Sequence, residues 1–109
     1  MEIKDSIIIA TDFSNSPGAR YYEDGDWSGQ KFLDELLLPK FNKAVAGGHI
    51  LRIGLDKVYG YPSSFVSGSF GKLSMEKGKD LVLKHIKLES DDNPLNIEKI
   101  MREIENPKG

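Results

Sequence analysis

Runs of apolar residues divide the chain into segments typical of alternating strands and helices. The isoleucine-rich residues 3–11 and the apolar residues 49–55 predict strands, and the second has almost no polar face, as expected of a central strand. Two weaker segments predict further strands, one at residues 19–23 that runs antiparallel to the first, and one at residues 80–88. The pattern therefore predicts four strands, separated by turns rich in Gly, Pro, Asp and Asn.

Apolar residues three and four positions apart predict helices in the remaining segments. The first helix covers residues 28–45, is kinked or split by Pro39 and ends at Gly47-Gly48. The same spacing predicts helices over residues 63–75 and 95–105. The order is then β-β-α-β-α-β-α, in which strand-helix-strand units favour parallel pairing. We expect an α/β fold with a four-stranded mixed sheet and about three helices, mainly on one side.

The composition fits one small globular domain. The chain has 109 residues, 39% of them hydrophobic and 29% charged, and it contains no cysteine, which excludes disulfides and cysteine-based chemistry. A formal net charge of −2 argues against a nucleic-acid partner. No segment resembles a signal peptide or has the ~20 apolar residues of a membrane span. We expect a single cytoplasmic domain over residues 1–105, a tail at 106–109 and no membrane association.

The segment Tyr61-Pro62-Ser63-Ser64-Phe65 joins a predicted buried strand to a predicted helix. The crevice beyond the carboxyl ends of strands is where α/β proteins usually place their sites. The unpaired N–H groups at a helix start favour an anion, either from a ligand or from a phosphorylated serine. Tyr59 and Tyr61 add aromatic rings, which are common at protein interfaces. The alternative is that the serines only cap the helix.

Residues 55–73 resemble the signature region of STAS domains, the family of anti-sigma factor antagonists. In that family a helix begins at paired serines, and a partner kinase phosphorylates the second serine, which matches Ser64 here. Pro62 and Phe65 stand where the family has aspartate and glycine. An upstream set is similar to the bacterial STAS-like domains of unknown function: Pro17-Gly18-Ala19-Arg20, Asp24-Gly25, Ser28-Gly29, Phe32, Leu37 and Pro39. The resemblance implies this fold and a regulatory role beside a histidine-kinase-like ATPase or an anti-sigma factor.

We therefore expect a regulatory protein-interaction module with no catalysis and no cofactor. Its partner-contact or phosphorylation residues are Ser64, Ser63, Tyr61, Phe65 and Tyr59. The alternative is a small-molecule or nucleotide-responsive domain or an enzyme subunit, with a pocket built from Arg20, Asp24, Ser28 and Asp56. No nucleophile elbow and no phosphate-loop motif supports an enzyme.

The segment from Asp24 to Glu35 matches the spacing of a calcium-binding EF-hand loop. Lys31 stands at the position that should be apolar, and the preceding segment does not resemble an entering helix. His49 and His85 have no second ligand at metal-binding spacing. We expect no metal site.

Overall fold

The computed structural model describes residues 1–108, which form a three-stranded parallel sheet and five helices. The strands lie in the order β1-β2-β3, and their bounds are β1 (Ile3–Ile8), β2 (Ile50–Gly54) and β3 (Ile86–Glu89). The helices are α1 (Ile9–Asp12), α2 (residues 29–47), α3 (residues 63–77), α4 (Lys79–His85) and α5 (Leu95–Glu105). The predicted α/β class is confirmed, while the number and direction of the strands are not.

The central position predicted for β2 is confirmed. Ile7 of β1 lies beside Ile53 of β2, and Ile53 lies beside Leu88 of β3. Side chains alternate between the faces of a strand, so these three residues share one face with Leu51. Ile7, Leu51 and Ile53 are fully buried there. The opposite face carries Arg52 and is partly exposed, so the helices cover one face of the sheet.

Residues 19–23 do not form the predicted second strand, so the expectation of a four-stranded mixed sheet is wrong. The carbonyl oxygens of Ala19 and Arg20 accept hydrogen bonds from the N–H groups of Gly29 and Gln30, at 3.0 and 2.9 Å. These acceptors serve the first turn of α2 and are not available to a strand ladder. Ala19 also has a left-handed backbone, with φ at 68°, and Tyr22–Asp24 form a single 3-10 turn.

The predicted strand at residues 80–88 is wrong over its first half, where the chain forms α4. Val82 and His85 are the buried residues of α4, and their separation of three positions is helical. A ring nitrogen of His85 lies 2.8 Å from the carbonyl oxygen of His49, which ties α4 to the start of β2. Only residues from Ile86 onward are extended, so β3 is a short strand.

β1 is also shorter than the strand predicted over residues 3–11. The Asp12 carboxylate accepts a hydrogen bond from the N–H of Ile8 at 2.7 Å, and the Phe13 N–H donates to the carbonyl oxygen of Ile9 at 3.0 Å. These bonds turn the chain into the single helical turn α1. The element order is therefore β-α-α-β-α-α-β-α, with five helices where about three were expected.

The predicted start and end of α2 are confirmed. The Ser28 hydroxyl accepts a hydrogen bond from the Lys31 N–H at 3.1 Å, and Gly48 ends the helix with a left-handed φ of 64°. Pro39 does not split the helix. Instead, the preceding turn, Leu33–Leu37, is widened to π-helical geometry. Proline lacks an N–H and its ring presses on the carbonyl one turn earlier, so a wider turn there accommodates it.

α5 completes the layer of helices on the buried face of the sheet. Its buried residues include Ile100 and Ile104, and the Ser74 hydroxyl of α3 donates to the carbonyl oxygen of Ile104 at 2.5 Å. The side chain of Glu103 packs over Gly71, where an added Cβ would lie 2.6 Å from a Glu103 carboxylate oxygen. No helix within residues 1–108 has the length and apolar character needed to cross a membrane.

The backbones of α2 and α3 are in close contact at Gly29. A Cβ at this position would lie against the carbonyl oxygen of Phe65, 2.9 Å from the carbonyl carbon of Gly68 and 3.0 Å from the Ser69 nitrogen. Backbone atoms cannot move aside as the end of a side chain can, so only glycine fits. Four rings pack beside this contact with centroid distances of 5.2 to 6.0 Å: Phe13, Phe32, Phe65 and Phe70.

We predict that Gly29→Ala destabilises the fold because the added methyl group forces the two helix backbones apart. Overpacking of a close contact costs about 1–3 kcal/mol. Urea unfolding should show a lower midpoint with an unchanged slope. The control is Gly18→Ala, because an added Cβ there has no atom within 4 Å. Equal midpoints for the two variants would contradict the prediction.

Candidate functional site

Tyr61 folds the loop after β2 back onto the strand. Its hydroxyl donates to the carbonyl oxygen of Leu55 at 2.7 Å, and the side chain is only 3% exposed. The ring centroid lies 6.2 Å from that of Phe65. Burial raises the pKa of the Tyr61 hydroxyl, and the nearby carboxylates of Asp92 and Asp56 add to the effect. The hydroxyl therefore stays protonated and remains a donor.

Pro62 occupies the N-cap position of α3, and neither serine hydroxyl caps the helix. The carbonyl oxygen of Pro62 accepts the N–H of Val66 at 3.1 Å. The interpretation of the serines as capping residues is therefore wrong. The N–H groups of Ser63 and Ser64 donate to no acceptor in residues 1–108, so the start of α3 keeps the partial positive charge of an open helix end.

The five predicted contact residues divide into an exposed set and a buried set. Tyr59 is 88% exposed, Ser63 is exposed and Ser64 is half-buried. Tyr61 and Phe65 lie in the core, so the expectation that they contact a partner is corrected. The two rings are four positions apart and pack side by side, and this anchors the first turn of α3 to the core.

Ser63 opens onto a cleft of about 380 Å³ between the start of α3 and α5, here called the serine cleft. Lys99, Arg102 and Lys108 line it, and none of them forms an ion pair with another residue of the described chain. Glu103 also lines it, but its buried carboxylate accepts the N–H of Lys108 at 2.9 Å. Three cations beside an open helix start favour a bound anion. The half-buried Ser64 is not part of this lining.

The sequence prediction missed the basic residues of the serine cleft. Lys99 and Arg102 are three positions apart on α5, so they lie on one face of the helix, and this spacing is readable from the sequence. Lys108 belongs to the segment predicted as a tail. Its place in the cleft depends on the hydrogen bond from its N–H to Glu103, which no local pattern predicts.

The residues of the predicted pocket do not come together. Asp24 is exposed in the 3-10 turn, and Ser28 is fully buried as the N-cap of α2. Arg20 lies beside Gly68 of α3, in a separate cleft between α2 and α3. Asp56 lies at the carboxyl end of β2 and lines neither this cleft nor the serine cleft. Within residues 1–108, no group of three or more His, Cys, Asp and Glu side chains is arranged to hold a metal ion.

Asp56 ties two loops together at the carboxyl edge of the sheet. Its carboxylate accepts the N–H of Asp91 at 2.9 and 3.0 Å, the hydroxyl of Ser90 at 2.8 Å and the N–H of Asp92 at 3.2 Å. These hydrogen bonds, led by the one from Asp91, lower the pKa of Asp56 to about 2. Because the carboxylate is engaged in holding the loop after β3, Asp56 is a structural anchor.

We predict that Tyr61→Phe destabilises the protein, because it leaves the buried carbonyl of Leu55 without its donor. The loss should be about 1–2 kcal/mol, as for other unsatisfied buried groups. Chemical unfolding measures it directly. Tyr59→Phe is the matched control, since that ring is 88% exposed and its hydroxyl has no partner in residues 1–108. A Tyr61→Phe variant as stable as the control would show that the hydrogen bond is unimportant.

We predict that Asp56→Asn lowers the thermal midpoint at neutral pH, and that this loss disappears in acid. The folded pKa of about 2 lies below the ordinary value of 3.8, so the carboxylate stabilises the fold above pH 3.8. This contribution is lost as the pH falls from 3.8 to 2 and the carboxylate is protonated. Thermal unfolding measured across this pH range should show the midpoints of Asp56→Asn and the parent protein converging. Asp26→Asn, which removes an exposed carboxylate, should track the parent protein at every pH.

A family model described as a STAS-like domain of unknown function matches residues 28–96. The matched segment runs from the N-cap of α2 through β2, the serine segment, α3 and β3. Arg20, Lys99, Arg102 and Lys108 lie outside it. No curated protein and no solved structure matches the chain. The match covers more than half of the chain, and the protein belongs to the family of STAS-like domains of unknown function.

Proposed function

We propose that this protein is a regulatory interaction module without catalysis, which binds a protein partner through the open start of α3. The observation that carries the proposal is the exposed Ser63 at an uncapped helix start, beside three cations without ion pairs in residues 1–108. Tyr59, which is 88% exposed in the loop between β2 and α3, adds the kind of aromatic surface that is common at protein interfaces.

A phosphoryl group on Ser63 is the modification to which this surface is best suited. It adds about −1.5 to −2 charge and three acceptor oxygens. The open N–H groups of α3, together with Lys99 and Arg102, supply the matching donors. The STAS resemblance implies Ser64 for this role, whereas exposure and the lining of the serine cleft favour Ser63.

Such a modification would change the surface and leave the fold intact. Tyr61 and Phe65 fix the start of α3 to the core, so the loop is not free to fold over a new charge. In the unmodified state the cations are free to meet acidic groups of a partner. In the modified state they hold the phosphate instead. We propose a cytoplasmic anti-sigma factor or histidine-kinase-like ATPase as the partner, which is the class that the STAS resemblance implies.

The engaged carboxylate of the serine cleft supports a role without catalysis. Serine becomes a nucleophile when a base lies within hydrogen-bond reach of its hydroxyl. The acid in this cleft, Glu103, is buried against Gly71 and accepts the N–H of Lys108. The Ser63 hydroxyl has no hydrogen bond to any residue of the described chain.

The proposal predicts that Ser63→Glu reduces capture of the partner from a lysate of the source cells by about tenfold, because it places a carboxylate among the cations. Lys99→Glu should act in the same direction because it removes part of the positive surface. The matched control is Asn42→Glu, which adds the same charge to an exposed position on α2. Captured proteins are identified and quantified by mass spectrometry. Equal recovery of the same ATPase with all three variants would refute the proposed surface.

Intact-mass analysis of the purified native protein tests the modification separately. We expect one added phosphoryl group, which Ser63→Ala abolishes while partner capture is retained. A phosphoryl group that persists in Ser63→Ala and disappears in Ser64→Ala would assign the modification to Ser64. A protein that never carries the added mass, in the presence of its ATPase partner, would leave the interaction surface standing and remove the phosphoryl switch.

A further inference from the structure

A second cleft, with a volume of about 630 Å³, lies between α2 and α3 and shares no lining residue with the serine cleft. This volume is in the range of small-molecule sites. Leu33 and Asp34 line it from α2, and Ser67 and Gly68 line it from α3. All four belong to the two π-helical turns, and such turns within α-helices occur frequently at functional sites. The cleft therefore lies where both helices are widened.

The backbone holds Arg20 at one end of this cleft. Its carbonyl oxygen accepts the N–H of Gln30 at 2.9 Å, and its side-chain stem lies over Gly68, where an added Cβ would be 3.0 Å from the Arg20 Cγ. The preceding Ala19 has a left-handed φ of 68°, which is unfavourable for a residue with a side chain. The guanidinium forms no ion pair and no hydrogen bond within residues 1–108, so Arg20 is a positioned cation without a partner.

Two polar groups near Arg20, on Gln30 and Ser67, can donate hydrogen bonds and have no acceptor within residues 1–108. The side-chain oxygen of Gln30 accepts the N–H of Tyr22 at 3.1 Å, which leaves the amide NH₂ as a donor. Ser67 is only 6% exposed, and its hydroxyl has no partner in the part of the chain that the structure describes. The carboxylate of Asp34 is engaged by the Tyr22 hydroxyl at 3.1 Å. The complementary ligand group is an anion rich in acceptors.

The rest of the cleft is lined mostly by apolar side chains. Leu38 and the exposed Met75 line it away from Arg20. Gly68 and Met75 are seven positions apart, or about 10 Å along a helix. Lys72 and Glu76 also line this part, and their opposite charges add up to no net charge there. A short alkyl or aryl chain fits this length.

We propose that the cleft between α2 and α3 binds a small organic anion. The head group lies against Arg20, Gln30 and Ser67, and the apolar tail lies along Leu38 and Met75. A carboxylate and a phosphate share the chemistry that these donors recognise. Binding here is independent of the serine cleft, so either proposal stands if the other fails.

The test uses octanoate, octyl phosphate and octanol, which share a tail and differ in the head group. Calorimetry should show that at least one anion binds about tenfold more tightly than octanol, since a charged hydrogen-bonded head adds that much. Arg20→Gln should weaken the anion about tenfold and leave octanol unchanged. Met75→Asp should weaken all three probes, because it places a charge beside the tail. Lys77→Gln is the matched control on α3, outside the lining.

Each outcome is decisive for the proposal. Tighter binding of octyl phosphate identifies a phosphate ligand, and tighter binding of octanoate identifies a carboxylate. The proposal is overturned if octanol binds as tightly as both anions, or if Arg20→Gln behaves like Lys77→Gln. It is also overturned if the backbone amide signals that move in NMR spectra lie outside residues 20–38 and 67–76. If Arg20→Gln does not fold, Arg20→Lys, which keeps the charge, tests the same contact instead. Ser63→Glu changes the other cleft and should leave octanoate binding unchanged.

Discussion

At Gly29 the backbones of α2 and α3 meet with no side chain between them. This close contact sets how α2 and α3 lie against each other, and with them the two clefts that α3 lines. It lets Phe65 pack beside Phe32 with a centroid distance of 5.6 Å, so the first turn of α3 is held in the core. It also brings the two π-helical turns together and brings Arg20 over Gly68. A larger residue at Gly29 would shift both clefts at once, because α3 contributes to each.

Two sets of hydrogen bonds fix the loop that leads from β2 into the start of α3. Tyr61 is bonded to the end of β2, and Asp56 joins the same loop to the loop after β3. Lys57, between them, has a left-handed backbone and donates its N–H to Asp92 at 2.9 Å. A surface fixed in this way loses little conformational entropy when a partner binds. These contacts support the proposal that the exposed Tyr59 and Ser63 form a recognition surface, although they lie on a loop and at a helix end.

The sequence predicted the parts of the fold that depend on local patterns. Helix α2 has a serine cap and an apolar stripe, and β2 is a short apolar run, so each is determined within its own segment. The strand predicted at residues 19–23 is wrong because carbonyl groups of this segment accept hydrogen bonds from the first turn of α2. The pattern within the segment itself does not indicate this contact. The serine segment was located from its position after β2. The basic side chains opposite it were not, since Lys108 reaches the cleft only through Glu103.

The net charge of −2 conceals how unevenly charge is distributed in this protein. Several acids are already engaged: Asp5 pairs with Lys40 at 2.9 Å, Glu89 lies near Arg52 at 3.5 Å, and Asp56 holds the loop after β3. Lys99 and Arg102 have no such acid among residues 1–108 and lie beside an open helix start. A charge sum treats all of these groups alike, whereas an anion responds to the unpaired ones nearest to it. The local excess of positive charge therefore supports the proposal that the start of α3 binds an anion, although the protein as a whole is acidic.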